Sequence, residues 1–386
     1  MKCRSCRSER ITDILFLGNL PLPNKLLSKP DEAFKKYPLN LVWCVDCMLV
    51  QLSNTVPPEE MFLDYPYLTS YSPELVAQAK ELVGKVVTSH SFQANPLVVE
   101  LGSNDGYLLQ FYKEHSFSVL GIDPSVRAAQ EAQDIRNIPT RREFFTENMA
   151  IELGSIADVI HANNVLAHVP DPNDFVAGMA RLLKVNGTAI VEVAYVKPML
   201  DSGRFDQIYA EHVSYFSIAS AEKLFLRHGL EVVRVDHIST HGGSLRFWLK
   251  HTGLHPNPPY PELWASEAAT YKDFERKVSR AVVKLLDYLE LKNKKGRTIM
   301  GYGAAGKATT LLNYCIVPVS WMPYVTDESP HKIGKWIPGT GIQIVSPELW
   351  LSRNPDVTLQ LAWNFFESIK NKYPQYKGEW VDPYAV

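Results

Sequence analysis

The chain of 386 residues lacks several features that would each open a different functional class. It has no apolar run approaching the ~20 residues of a membrane span, so no transmembrane segment is expected. Behind Met1-Lys-Cys-Arg there is no apolar h-region, so no secretory signal is expected. Lys and Arg total 40 against 42 Asp and Glu, a formal net charge of -2, which leaves no field for holding a polyanion. The one short basic run, Lys292-Asn-Lys-Lys-Gly-Arg297, reads as a solvated helix end whose cations suit the C-terminal dipole. No repeat or low-complexity tract is evident. Cysteine is scarce: of 5, four form two closely spaced pairs and the fifth, Cys315, lies in an apolar stretch. Such usage fits a reducing cytoplasm better than a disulfide framework. Neither a nucleic acid nor a membrane partner is expected.

What is present points to a multidomain α/β protein. Apolar residues make up 46% and charged residues 21%, as in folded globular chains, and the length calls for two or three cores. Residues 1–75 are loop-rich, with prolines and short strand-like pieces such as Leu39-Asn-Leu-Val-Trp43. So little apolar material needs a staple, and a structural metal would supply one. From about residue 76 the pattern changes. Leu75–Val83 has helical spacing, and the apolar runs Leu97–Leu101, Val119–Ile122, Asp158–His161 and Ala189–Val193 alternate with helical segments. That alternation predicts βαβ units around a parallel sheet, with ligands beyond the carboxyl ends of the strands. The Pro-rich run Leu254-His-Pro-Asn-Pro-Pro-Tyr-Pro261 reads as a linker, and a helix is expected over Glu262–Leu291. A strand–loop–helix unit at Arg297–Lys307 then opens a smaller α/β domain, so the expected division is 1–75, 76–255 and 256–386.

Cys3/Cys6 and Cys44/Cys47 are two thiolate pairs, each with a two-residue gap, and can close a tetrahedron around zinc. All four positions would then be protein, which leaves no site for water or substrate and makes the metal structural. In Val98-Val-Glu-Leu-Gly-Ser-Asn-Asp-Gly106 an apolar strand delivers an acid, Glu100, then a glycine where backbone can approach a ligand. Gly102 and Gly106 are the permissive positions, with Ser103, Asn104 and Asp105 between them. The next strand ends in Asp123, about twenty residues on, where a carboxylate can accept both ribose hydroxyls of a nucleoside. Because Pro124 follows, a helix N-cap is the other reading of Asp123. The loop lacks the full Gly-x-Gly-x-x-Gly of a dinucleotide site, so S-adenosylmethionine fits better than NAD. Asn163 and Asn164 fall where the third strand meets the crevice, in reach of a methionine moiety or a substrate hydroxyl. His168 reads first as a core or helix-face histidine.

The densest polar cluster is Tyr209-Ala-Glu-His-Val-Ser-Tyr-Phe216, which holds Tyr209, Glu211, His212 and Tyr215. A histidine beside a carboxylate and a phenol can act as a general base near neutral pH. A satisfied polar cluster capping a helix over Ser217–His228 is equally compatible. His241-Gly-Gly-Ser-Leu-Arg246 follows a strand, Val232–Ile238, and reads either as an oxyanion or pyrophosphate site or as a hairpin turn. Gly301-Tyr-Gly-Ala-Ala-Gly306 is a formal match to the dinucleotide fingerprint, with Lys307 behind it and Asp327 about twenty residues on. Alone it would support NAD binding.

These landmarks, in this order and over essentially the whole chain, resemble the S-adenosylmethionine-dependent sugar C-methyltransferase family. The most specific pieces are the four cysteines, Glu100–Gly106, Tyr209-Ala-Glu-His212, His241–Arg246 and Gly301–Lys307. The resemblance implies an α/β protein with a small zinc-binding N-terminal domain, a class I methyltransferase Rossmann-like domain and a second Rossmann-like C-terminal domain. It implies methylation of carbon 3 of a nucleotide-linked 4-keto-6-deoxy sugar, in deoxysugar biosynthesis. Tyr209, Glu211 and His212 match the family's Tyr-x-Glu-His catalytic segment. His212 is then expected to be the base that makes an enolate, Glu211 to orient it or support its charge, and Tyr209 to stabilise the enolate oxygen or position the sugar. Tyr67 matches an active-site tyrosine near the end of the zinc domain, although Tyr71 departs from the small residue expected there. Substrate contacts are expected from Tyr67, His168, His241, Gly243, Ser244, Arg246 and Lys307. Cofactor contacts are expected from Glu100, Gly102, Ser103, Asn104, Asp105, Gly106, Asp123, Asn163 and Asn164. A cytoplasmic monomer or small homo-oligomer is expected. The competing reading is an NAD-dependent nucleotide-sugar oxidoreductase built on the C-terminal glycine loop. A zinc-module nucleic-acid binder is disfavoured by the near-zero net charge.

Overall fold

The computed structural model describes residues 1–63, 65, 67–239, 242–253 and 262–386. The expected linker at 254–261 and the candidate site residue His241 lie outside the described residues. In chain order the strands are β1 (Ile11–Pro21), β2 (Lys36–Cys44), β3 (Val50–Leu52), β4 (Leu97–Leu101), β5 (Ser118–Ile122) and β6 (Thr140–Arg141). They continue with β7 (Ala157–Asn163), β8 (Leu183–Ala194), β9 (Ser214–Tyr215), β10 (Leu230–Ile238) and β11 (Ser244–His251). The last five are β12 (Ile299–Tyr302), β13 (Tyr324–Thr326), β14 (Gln343–Val345), β15 (Val357–Gln360) and β16 (Glu379–Val381). No helix among the described residues is long and apolar enough to cross a membrane.

Three sheets result. The first is antiparallel, in the order β1-β2-β3-β9, so its last strand comes from the middle of the chain. The second has the order β10-β11-β8-β7-β4-β5-β6 and is parallel from β8 to β6, with β11 inserted antiparallel between β8 and β10. Its strands read as near-continuous apolar runs because helices cover both faces. One such helix, Pro73–Ser89, is started by Ser72, whose side chain accepts the Leu75 N–H, and buries Ala79, Leu82, Val83 and Val86. Strand order reverses between β4 and β7, which places a crevice at their carboxyl ends. The third sheet, β14-β13-β12-β15-β16, is wholly parallel. This is the expected α/β class, with a Rossmann-like methyltransferase fold and a second Rossmann-like unit.

The helix expected from Glu262 begins later. A short 3-10 turn at Leu263–Ser266 precedes the helix Ala268–Lys294. Glu262 is held elsewhere: its carboxylate accepts the Tyr195 hydroxyl (2.5 Å) and the Ala219 N–H (2.9 Å). The basic run closes that helix as expected, with Lys292 and Lys294 in its last turn.

Candidate active site

Each cysteine pair sits on a knuckle of the same build. Arg7 N–H donates to the Cys3 carbonyl (3.0 Å) and Met48 N–H to the Cys44 carbonyl (2.9 Å), with Arg7 and Met48 at φ 63° and 66°. The four Sγ atoms lie within 4.8 Å of one another, with Cys3–Cys47 and Cys6–Cys44 at 3.5 Å. Zn–S bonds of about 2.3 Å in a tetrahedron set sulfurs about 3.8 Å apart, so the quartet fits zinc. Gln51 Nε2 supports it from outside, donating to Cys3 Sγ at 3.2 Å. The first knuckle is also bonded to the unit built on the seven-stranded sheet. Arg4 donates to the Pro170 carbonyl (3.2 Å), and Asn173 Nδ2 donates to the carbonyls of Arg4 and Ser5 (2.7 and 2.9 Å).

A cavity of about 490 Å³ opens at the crevice. Gly102 (φ 69°) is required there, since a Cβ would stand 2.2 Å from Val165 Cγ2. Asp123 accepts the N–H groups of Asn104 and Ser125, each at 2.8 Å. The following helix is capped by Ser125, not Asp123, which removes the N-cap reading. Gly102, Asn104, Asp123, Asn163 and Asn164 line the cavity. Ser103, Asp105 and Gly106 shape the loop instead. Ser103 is buried beneath Gly121, Asp105 faces Arg136 (3.7 Å), and Gly106 closes on Ile138. Glu100 is fully buried beside Asn163, whose Oδ1 is left without a hydrogen bond. Burial holds the Glu100 carboxyl well above its ordinary range. Arg246 is matched by Glu192 (2.8 Å) at this end of the cavity. With Arg246 matched and the Asn163 Oδ1 acceptor open, this end suits a nucleoside such as S-adenosylmethionine better than a ligand made of phosphates.

The N-terminal part covers the loop. Asn104 Oδ1 accepts the Thr69 N–H (2.8 Å), and its Nδ2 donates to the Tyr67 carbonyl (3.2 Å). Tyr67 and Tyr65 both line the cavity. Sequence reasoning chose Tyr67 and missed Tyr65. Their surroundings differ: Tyr67 sits near Asp105, whereas Tyr65 sits near Glu211. The other tyrosine of Tyr65-Pro-Tyr67 was the available signal.

On the opposite wall a turn, closed by His212 N–H to the Tyr209 carbonyl (2.9 Å), brings the Tyr209 hydroxyl to 2.8 Å from His212 Nε2. The His168 ring lies edge-on at 4.8 Å from the His212 ring, and its Nδ1 donates to the Glu211 carbonyl (2.8 Å). Burial depresses His168 and keeps its imidazole neutral, while burial raises Tyr209 and keeps its phenol intact. Tyr209, His168 and His212 line the cavity. The Glu211 carboxyl turns away to Asn24 Nδ2 (2.6 Å), and burial lifts it to about 7. Asn24, 187 positions earlier in the chain, carried no sequence signal.

Gly243 and Ser244 belong to the strand junction. The Gly243 carbonyl accepts the Tyr195 N–H (3.0 Å), and Ser244 pairs with Ala194. This is the hairpin reading of that motif. In the C-terminal glycine loop the backbone packs closely at Gly303, where a Cβ would stand 2.5 Å from Ala362 Cβ. Asp327 accepts the N–H groups of Ala304 and Ser329, each at 2.9 Å, as Asp123 does in the first crevice, and is also paired with Lys332 (3.1 Å). Lys307, after the loop, reaches the cavity.

Family models match the chain along three stretches: a zinc binding domain over residues 3–62, a methyltransferase domain over 75–235 and a C-methyltransferase C-terminal domain over 239–383. Fold, crevice and thiolate quartet thus define an S-adenosylmethionine-dependent methyltransferase with a structural zinc module. The chain is 31% identical over 399 residues to the C-methyltransferase NovU of Streptomyces niveus, covering 99% of this chain and 95% of that protein. It belongs to this C-methyltransferase family. It is also 29% identical over 136 residues to the ubiquinone biosynthesis O-methyltransferase of Leptothrix cholodnii, covering 30% of this chain and 57% of that one. Among solved structures it is similar to magnesium protoporphyrin IX methyltransferase from Synechocystis with bound S-adenosylmethionine, at a TM-score of 0.35 and 17% identity, covering 46% of this chain and 79% of that one.

Proposed function

We propose that this C-methyltransferase acts on carbon 3 of a nucleotide-linked 4-keto-6-deoxy sugar, through an enolate, in deoxysugar biosynthesis in the cytoplasm. The observation that carries the reading is the Tyr209–His212 pair, hydrogen-bonded at 2.8 Å on the wall of the cavity that also holds Asp123, Asn163 and Asn164. A 4-keto group acidifies the adjacent carbon 3, so the protein has to supply a base, alignment and a dry site. S-adenosylmethionine, when bound, supplies a methyl group already made electrophilic by its sulfonium.

His212 is the base in this reading, and Tyr209 holds its ring through the Nε2 contact. Glu211 positions the segment: its carboxyl is anchored on Asn24 and its carbonyl on His168, so it supports His212 through the backbone of the turn. Asp123 holds the nucleoside of the cofactor, Asn163 and Asn164 its methionine end, and Tyr65, Tyr67 and His168 the sugar. The working units are 1–75, 76–255 and 256–386, acting as a monomer or small homo-oligomer. The test is a methylation screen of nucleotide-linked keto-sugars, with products located by mass spectrometry and NMR. A new methyl group on carbon 3 supports the reading. Methylation only of an acceptor with no carbonyl overturns it.

A further inference from the structure

Lys307 brings a cation from the C-terminal unit into the cavity wall that carries Gln207, Tyr209 and His212. It follows Gly306, where a Cβ would stand 3.8 Å from Tyr209 Cε2, so the start of the helix Gly306–Tyr314 abuts the proposed catalytic pair. Among the described residues Lys307 Nζ makes no hydrogen bond and no ion pair. It lies 5.7 Å from the Trp363 ring centroid, and the buried Asp206 nearby favours its charged form. The neighbouring Arg204 is closed off by two bonds to Asp382 (2.7 and 3.3 Å), and the Tyr209 hydroxyl is engaged by His212.

We infer that Lys307 is a catalytic residue whose ammonium binds the carbonyl oxygen of the acceptor and stabilises the negative charge that develops there. The inference rests on the keto-acceptor reading above. As His212 takes the proton from carbon 3, the C–H electron pair forms the double bond to carbon 4. The carbonyl π pair moves onto oxygen, where an N–H of Lys307 hydrogen-bonds it. One developing charge matches one ammonium. A diphosphate would present several charges to a single ammonium that has a carboxylate behind it, a poorer match.

This half of the reaction needs no methyl group, so it is read by itself. The holoprotein with S-adenosylhomocysteine and a nucleotide-linked 4-keto-6-deoxy sugar is placed in deuterium oxide, and loss of the carbon-3 proton is followed by NMR. Wild type should exchange it. Lys307→Met should slow exchange at saturating sugar by ~10²–10³-fold, the range for loss of one oxyanion donor. Affinities for S-adenosylhomocysteine and for free nucleoside diphosphate should be unchanged, which also shows that the variant is folded. Burial lowers the Lys307 pKa, so wild-type exchange should fall at alkaline pH, and Lys307→Arg should move that limb upward. Wild-type exchange in Lys307→Met overturns the role, as does lost nucleoside diphosphate affinity with exchange intact, which would make Lys307 a diphosphate anchor. No exchange by wild type on any keto-sugar instead overturns the keto-acceptor reading.

Discussion

Gly102→Ala is the sharpest perturbation of the cofactor crevice. Gly102 sits at φ 69°, in the left-handed region, and a new methyl would stand 2.2 Å from Val165 Cγ2. The backbone part should cost about 1–2 kcal/mol. The collision should add about 1–3 kcal/mol, because Val165, next in the chain to Asn163 and Asn164, has to shift to make room. The total loss of stability is then about 2–5 kcal/mol, with S-adenosylhomocysteine affinity falling by ~10-fold or more, since the strain sits in the binding wall. Urea unfolding and calorimetric titration measure the two effects. The decisive assay is a double-mutant cycle with Val165→Ala. Removing the Val165 methyls should return the collision part and leave the backbone part, giving a favourable coupling of about 1–3 kcal/mol. Additivity to within about 0.5 kcal/mol would refute the reasoning, because the two groups would then not be competing for the same space.

Other outcomes follow from the same geometry. Burial raises Glu211 from 4.5 to about 7, so the folded state keeps a proton that the unfolded chain releases, and stability should fall as pH rises through that window. Glu211→Gln keeps an acceptor for Asn24 and should remove up to ~3 kcal/mol of that slope, read from urea midpoints at pH 5 and 8; an unchanged slope counts against a buried, protonated Glu211. His212→Asn should reduce methyl transfer at least ~10²-fold with S-adenosylhomocysteine affinity intact, whereas Asp123→Ala should weaken that affinity first. Chelating the zinc should lower the thermal midpoint and the activity together, and full activity in protein shown to be metal-free would end the structural role of the quartet.

Much of this was legible in the chain because it is local. The cysteine spacing, the apolar runs of β4, β5, β7 and β8, and the polar cluster at 209–215 each depend on near neighbours, and each lies where pattern and chemistry put it. What stayed hidden depends on partners far apart in sequence. Nothing near Glu211 tells that its carboxyl bonds Asn24, or that Asn104 is used by the Thr69 and Tyr67 backbone. Arg246 has the residue type of an anion site, but pairing of β11 with β8 sets it opposite Glu192 and matches its charge. The C-terminal glycine loop shows the limit of motif reading. Its spacing is that of a dinucleotide fold, yet the acid such a fold would offer to a ribose, Asp327, is paired with Lys332.

The two-residue strand Ser214–Tyr215 lies just past His212, yet it is laddered to Val50 and Gln51 in the metal-bearing sheet. A door-like swing of the whole zinc module would tear those rungs and pull the imbedded histidine out of line on every turnover. The cysteine knuckle and the histidine are thus built into one piece, so a disturbance at the quartet travels along β2, β3 and β9 to His212.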